Sequence, residues 1–345
     1  MNGSRMKAVI ITRPGGPEVL ELREVEAPTP AANEVLVRVR ASALNRADLL
    51  QRQGRYPAPP GSPPDIPGIE FAGEVAATGR DARRWKPGQR VFGIIGGGAH
   101  ADYLVAHEGT LAGIPANLSW AEAAAVPEAF LTAHDALWIQ AGLLAGERVL
   151  IHAVGSGVGL AAVQLVRARG AIPYGTSRTA DKIERAREYG LEDGAVVTDP
   201  AAELPELARR WAPERSQEQS PARSNGGFDV VLDLVGGPYL PASLQAMRLK
   251  GRLMLVGTVA GSSAEMKLAP LLSKRLTVRG TMLRARSVEE KIAATERFAA
   301  EVVPLLGQGA LRPTIDSRFP LDQIRQAHQR LESNETFGKV VLELS

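Results

Sequence analysis

The sequence predicts an α/β protein, a doubly wound parallel sheet joined to a smaller, barrel-like β unit. Three observations carry this expectation. From Val149 to Thr179 the chain reads strand, glycine turn, helix, strand. Beyond it, strands and helices alternate as far as Thr281. Before Trp120 the texture is mostly short strands divided by Gly and Pro. The 345 residues are enough for two domains and a sizeable core.

In order along the chain, Met6–Thr12 and Val19–Glu26 read as strands around a PGGP turn. Pro28 and Pro30 then break the chain before Glu34–Ala43, where VLVRVRAS alternates as a half-buried strand does. NRADLLQRQ, Asn45 to Gln53, supplies one or two helical turns. A proline-rich loop runs from Tyr56 to Pro67. Strands resume at Ile69–Thr78, Arg90–Ile94 and near Tyr103–Ala106.

From Trp120 the alanine-rich AEAAAVPEAFLTAHDALWIQ reads as helical. Next comes the glycine turn: a buried strand over Val149–His152, then Gly155, Ser156, Gly157, Val158 and Gly159, a helix over Leu160–Arg169 and a strand over Ala171–Gly175. Glycines there let backbone N–H groups reach a pyrophosphate at the positive end of a helix. A GxGxxG frame read back from Gly159 would need glycines at Val154 and Ser156, so the glycines alone also fit a plain tight turn. The flanking strands and helix favour the phosphate reading. Further elements read as helix Ala180–Tyr189, strands Ala195–Val197 and Phe228–Leu234, helix Tyr239–Met247, and strands Arg252–Val256 and Leu276–Thr281. The polar stretch 211–227 reads as a mobile surface insertion rather than a lid. The chain closes with an amphipathic helix near Val288–Leu306, another helix, and an apolar strand over Lys339–Leu344.

Composition narrows the function. Hydrophobic residues make up 44% and charged residues 23%, as in ordinary globular proteins. Apolar runs fall short of a membrane span, and no signal-like segment precedes the first strand, so the expectation is a cytoplasmic protein with no membrane partner. A net charge of +3 with scattered bases and 5% aromatics argues against a nucleic-acid partner. The absence of cysteine excludes disulfides, thiolate zinc sites and cysteine nucleophiles. The five histidines show no close pair at ligand spacing.

Several stretches then carry a resemblance: GGPEVLELREVEAP, ASALNRADLLQRQGRYP, PGIEFAGEV, WKPGQRVFGIIGGGAHADY, AAAVPEAFLTAHDAL, GERVLIHAVGSGVGLAAVQL, DLVGG, GRLMLVGT and GKVVLEL. The chain resembles the medium-chain dehydrogenases/reductases, and within them the zinc-free quinone oxidoreductases, especially the tumour-suppressor-inducible type. The resemblance implies a GroES-like β domain, residues 1–125 and 284–345, with a Rossmann dinucleotide-binding domain, residues 126–283, inserted. It also implies a homodimer. Zinc-bearing relatives have Cys where this chain has Asn45, and Gly-His-Glu where it has Gly68-Ile69-Glu70; neither Asn nor Ile replaces a thiolate or imidazole ligand. No metal site is expected.

With no metal and no evident acid–base pair, the chemistry falls to a nicotinamide and to positioning. The resemblance places Asn45 and Asp48 in the active-site turn, Asn45 towards the nicotinamide and Asp48 ordering the loop. Asn45 fits a helix cap nearly as well. Tyr56 resembles the tyrosine facing the acceptor, or else packs against the prolines. Thr132 resembles the threonine near the carboxamide, or else bonds its own backbone. At the end of the second strand an NAD enzyme has an acid; here stand Ser177, Arg178 and Thr179, with Lys182 one turn on. Arg178 and Lys182 suit a 2′-phosphate, with Ser177 and Thr179 as hydroxyl donors, so NADPH is the expected cofactor. Thr179 as the N-cap of a solvated helix is the plainer reading. Gly257, Thr258 and Val259 fall near the cofactor, and Leu283 to Arg286 by the cleft. The expected activity is hydride transfer from NADPH to a quinone or similar conjugated carbonyl. The alternatives are an enone or enoyl-thioester reductase and a non-catalytic NADPH-binding member of the family.

Overall fold

The computed structural model describes residues 5–213 and 226–344; most of the polar 211–227 stretch lies outside them. The chain divides into two compact units, Met1–Thr132 with Leu283–Ser345, and Ala133–Met282.

In the first unit, β1 (Arg5–Ile11) and β2 (Leu20–Glu26) form an antiparallel pair. The larger sheet is built on β3 (Glu34–Ala43), whose alternation buries Val35, Val37, Val39 and Ala41. Its partners β4 (Glu70–Thr78), β5 (Arg90–Ile94), β6 (Tyr103–His107) and β7 (Leu111–Gly113) are all antiparallel to their neighbours. The sequence reading missed β7, which is only three residues long. Between β3 and β4 lies the helix Arg46–Arg52.

In the second unit the strands are β8 (Arg148–Ile151), β9 (Ile172–Ser177), β10 (Asp193–Val196), β11 (Phe228–Asp233), β12 (Met247–Leu255) and β13 (Thr277–Gly280). Their order is β10-β9-β8-β11-β12-β13, every pair parallel. This is the 3-2-1-4-5-6 order of a dinucleotide-binding sheet, with its switch point between β8 and β11. Val149, Leu150, Ile151, Val230, Val231 and Leu232 are fully buried, because helices cover both faces of a parallel sheet.

The last strands return to the first unit. β14 (Ile315–Pro320) pairs parallel with β15 (Lys339–Glu343), and β15 runs antiparallel to β3, Val341 facing Ala43. The tail therefore delivers Lys339 to the start of the 46–52 helix.

Several elements differ from expectation. The alanine-rich stretch is helical over Trp120–Ala124, but from Pro127 to Leu131 the turns are wound wider than an α-helix; Pro127 has no N–H to continue the ladder. The glycine-turn helix begins at Gly157, three residues early, because Ser156 caps it. A helix over Pro200–Trp211 was not anticipated. Asp199 caps it by accepting from the N–H groups of Ala201 and Ala202, and Pro205 inside it disguises its pattern. Trp211 belongs to the core, stacked on Tyr174 with ring centroids 5.4 Å apart, not to the polar stretch. The 288–306 helix is two, Val288–Glu301 and Val303–Gly307, since Pro304 interrupts it.

Candidate functional site

The nucleotide end is built by turns at the carboxyl ends of β8, β9, β11 and β12. Ala153 takes a left-handed conformation (φ 52°), and the chain then turns through Val154 and Gly155 into Ser156. Ser156 Oγ accepts from the Gly159 N–H at 3.0 Å. The Gly159 amide is thus spent on its own cap. Glycine is required there for another reason: a Cβ would lie 2.6 Å from the carbonyl oxygens of Ala153 and Val154. At Gly155 a Cβ would meet the Lys182 side chain at 3.0 Å, so this glycine makes room for the lysine to lie against the turn. Gly157 is the first helical residue and Val158 follows it.

At the end of β9, Ser177 is buried and its Oγ accepts from the Thr179 N–H at 3.3 Å. Arg178 and Thr179 are exposed and Lys182 half-buried. Thr179 occupies the N-cap position, yet its hydroxyl makes no capping bond. The turns after β11 and β12 are pressed together. A Cβ at Gly257 would lie 2.5 Å from the Leu234 carbonyl, and one at Gly236 would lie 2.9 Å from the Gly257 carbonyl. Thr258 and Val259 follow, Val259 exposed.

The first unit holds a separate constellation. Asn45 starts the 46–52 helix, and its backbone N–H donates to Asp48 Oδ2 at 2.7 Å, the carboxyl half of a capping box. Asp48 Oδ1 accepts from the Gly68 N–H at 2.9 Å, so this buried carboxyl ties two loops together. Burial pushes Asp48 above the usual carboxylate range, against the pull of those two amides and of Arg284 and Lys339. The Asn45 side chain is committed on both ends: Nδ2 donates to Glu70 Oε1 at 2.8 Å and Oδ1 accepts from Lys339 Nζ at 2.6 Å. Lys339 completes its three bonds with the Leu44 carbonyl and Glu70 Oε1.

Tyr56 is half-buried under the Arg284 guanidinium, which sits 4.9 Å from the ring centroid. Burial raises its phenol pKa; Arg284 opposes and Glu128 adds to the shift. Arg284 is buried, held by the Gly96 carbonyl and Gln51 Oε1. Thr132 Oγ1 donates to Glu128 Oε1 at 3.3 Å rather than to its own backbone.

The structure thus brings Asn45 and Asp48 together, and it gathers Gly155 with Lys182 near Ser177 and Thr179. Sequence reading missed Glu128 and Lys339 as members of the site, placed Arg284 only within the Leu283 to Arg286 stretch by the cleft, and treated Glu70 only as part of a motif. Each of Glu70, Glu128 and Lys339 is a lone charge in an apolar run, and that is a readable signal. At the expected zinc-ligand positions stand the hydrogen-bonded Asn45 amide and the buried Ile69. Among the described residues, no three His, Cys, Asp or Glu side chains cluster as metal ligands do.

Residues 31–134 match the model of the alcohol dehydrogenase GroES-like domain, and residues 213–342 that of the zinc-binding dehydrogenases. A quinone oxidoreductase of Lama guanicoe is 32% identical, covering 98% of this chain and 97% of its own length. A mycobacterial protein solved in complex with NADPH superposes with a TM-score of 0.84 at 26% identity, over 98% of this chain and 99% of that one. The CurK enoyl reductase gives 0.83 at 27%, over 99% of both. No helix among the described residues is long and apolar enough to cross a membrane. On this sheet order, these domain matches and the full-length identity, the chain belongs to the quinone oxidoreductase family of medium-chain dehydrogenases/reductases and is an oxidoreductase of a nicotinamide-dinucleotide-binding fold.

Proposed function

We propose that the protein is an NADPH-dependent quinone oxidoreductase that acts without zinc. The observation that carries the cofactor choice is the end of β9, where Arg178 and Lys182 stand and no acid closes the strand. The glycine turns stand at the carboxyl ends of β8 and β12, where a doubly wound parallel sheet receives a dinucleotide, and the Gly157–Ala168 helix starts at the first of them. When bound, the dihydronicotinamide supplies a hydride. The chain's residues do the rest. Arg178 and Lys182 hold a 2′-phosphate, Ser156 presents the helix start to the pyrophosphate, and Tyr56, its ring against Arg284, offers a flat aromatic wall to a conjugated ring. The test is NADPH oxidation against a panel of quinones, enones and enoyl thioesters, with NADH as control. The likeness to an enoyl reductase supports a second reading, reduction of an activated C=C bond. Turnover confined to enones or enoyl thioesters would select it.

The ligand positions taken by Asn45 and Ile69 lead to an expected result. Activity survives exhaustive chelation, and elemental analysis of active enzyme finds no stoichiometric zinc. Loss of activity on chelation, restored by zinc, would overturn the zinc-free reading.

The homodimer also belongs to this proposal. β13 is an edge strand of the six-stranded sheet, all four residues exposed, and Leu268, Leu272, Val278 and Met282 expose apolar surface near it in sequence. Leu272 is 75% exposed, and with its neighbours it adds an apolar surface to the unpaired strand. Antiparallel pairing of β13 with its own copy about a two-fold axis covers both. Leu272→Asp combined with Val278→Lys is expected to yield monomers in sedimentation equilibrium. A variant as dimeric as the parent, or a monomeric parent, would sink this assignment.

A further inference from the structure

Three carboxyl groups gather at the turn that carries Asn45, and their hydrogen bonds set them apart. Asp48 and Glu70 are both 0% exposed. Each oxygen of Asp48 accepts a backbone N–H, from Asn45 and Gly68. Glu70 Oε1 accepts from Asn45 Nδ2 and Lys339 Nζ, and its Oε2 accepts from the Glu128 N–H at 2.8 Å. These two carboxyls are held by fixed donors and have no free oxygen. The Glu128 carboxyl differs. The residue is half-buried, its Oε1 accepts only the long bond from Thr132 Oγ1, and its Oε2 has no hydrogen-bond partner among the described residues. It is the one carboxyl of the three with an open oxygen.

We propose that Glu128 is the proton donor to the reduced acceptor, an inference that rests on the hydride-transfer reading above. A hydride added to a quinone or enone leaves an electron pair on the acceptor's carbonyl oxygen. The Glu128 O–H bond breaks, its electron pair stays on the carboxylate, and the proton forms the new bond to the acceptor. One hydride and one proton complete the two-electron reduction, and solvent returns a proton to Glu128.

The surroundings suit this role. Glu70 faces Glu128 from β4, Asp48 from the 46–52 helix and Lys339 from β15. Tyr56 and Arg284 lie within electrostatic range. From β5 and the 288–301 helix, the side chains against Pro127 and Leu131 are Phe92, Ile94, Thr295 and Phe298; Lys291 of that helix acts on Arg284. Burial, then the Glu70 charge, pushes the Glu128 pKa up to about 7; Asp48 adds to this, while Lys339 and the Thr132 hydroxyl oppose it. Near neutral pH both its forms are therefore populated, and the acid form is lost as pH rises through about 7. Arg284 and Lys339 favour the carboxylate left behind.

The test is Glu128→Gln, which keeps the shape and the acceptor for Thr132 but carries no acidic proton. Difference infrared spectra of the cofactor-free protein, wild type minus variant, are expected to show one carboxylic-acid band that titrates near neutrality and vanishes in the variant. Kinetics with NADPH and a quinone are expected to show kcat reduced about 10²-fold, with the fall at high pH abolished and the NADPH Kd unchanged. A spectrum without that band, or a variant with the wild-type kcat and pH profile, would overturn the proposal. A wild type that binds NADPH yet reduces no quinone, enone or enoyl thioester overturns the reductase reading and this role together. The infrared band separates that failure from a wrong choice of residue, because it is read without turnover.

Discussion

Lys339→Met is expected to lower the unfolding free energy of the first unit by about 3–5 kcal/mol near neutral pH. The lysine is buried, and its three donors meet three acceptors: the Leu44 carbonyl, Asn45 Oδ1 and Glu70 Oε1. Its removal leaves Glu70, 0% exposed, with a carboxylate that the Asn45 and Glu128 N–H groups cannot neutralise. Such a charge is costlier than the loss of the hydrogen bonds themselves. The double variant Lys339→Met with Glu70→Gln removes the stranded charge and should recover most of the loss; the coupling is read from a double-mutant cycle by chemical denaturation. A single variant as stable as the wild type would show that Glu70 is not held by this lysine. The same lysine ties β15 to the turn at Leu44 and Asn45, so the single variant should also loosen the amide pair that positions Asn45 and the Glu128 backbone.

Lys339 also shows how far the sequence discloses such a site. GKVVLEL reads as an apolar strand, and it is one; the lysine in it is conspicuous, as are Glu70 in PGIEFAG and Glu128 in AAAVPEAFL. A lone charge in an apolar run announces that a partner exists but does not name it, because pairing depends on which strands become neighbours. The β15–β3 pairing that joins Lys339 to Asn45 spans most of the chain. The central strands β8 and β11 were legible for the opposite reason. A sheet covered on both faces leaves continuous apolar runs, such as VLI and VVL. β14, with IDSRFP half-buried to exposed, lies at a sheet edge and leaves no such run. The glycine turn was recognisable as a turn, yet the separate tasks of its glycines were not. Gly159 spares two carbonyls and Gly155 spares Lys182, and only the folded geometry distinguishes these.

Arg178→Ala with Lys182→Ala is expected to weaken NADPH binding by roughly 10- to 100-fold while changing NADH affinity little. Two charge-assisted contacts to a phosphate together are worth on the order of 1.5–3 kcal/mol once the exposure of Arg178 is allowed for, and each 1.4 kcal/mol is about tenfold. The geometry couples the two side chains to one ligand group. Arg178 follows β9 directly, and Lys182 sits one helical turn on, its side chain passing over Gly155 of the phosphate turn. Ser177 and Thr179 complete the surround; the Thr179 hydroxyl, which does not cap its helix, is available to accept or donate there. NADH carries a hydroxyl in place of the 2′-phosphate, so it loses no charge-assisted bond in the variant. Asp181 in the first helical turn is ion-paired to Arg185 rather than placed at the strand end, and thus offers NADH no compensating acceptor. Titration calorimetry with both cofactors at low and high salt is the measurement. The NADPH preference of the wild type should shrink as salt rises, and that of the double variant should be small throughout. Equal weakening of both cofactors, or a wild type that prefers NADH, would remove the 2′-phosphate from this turn.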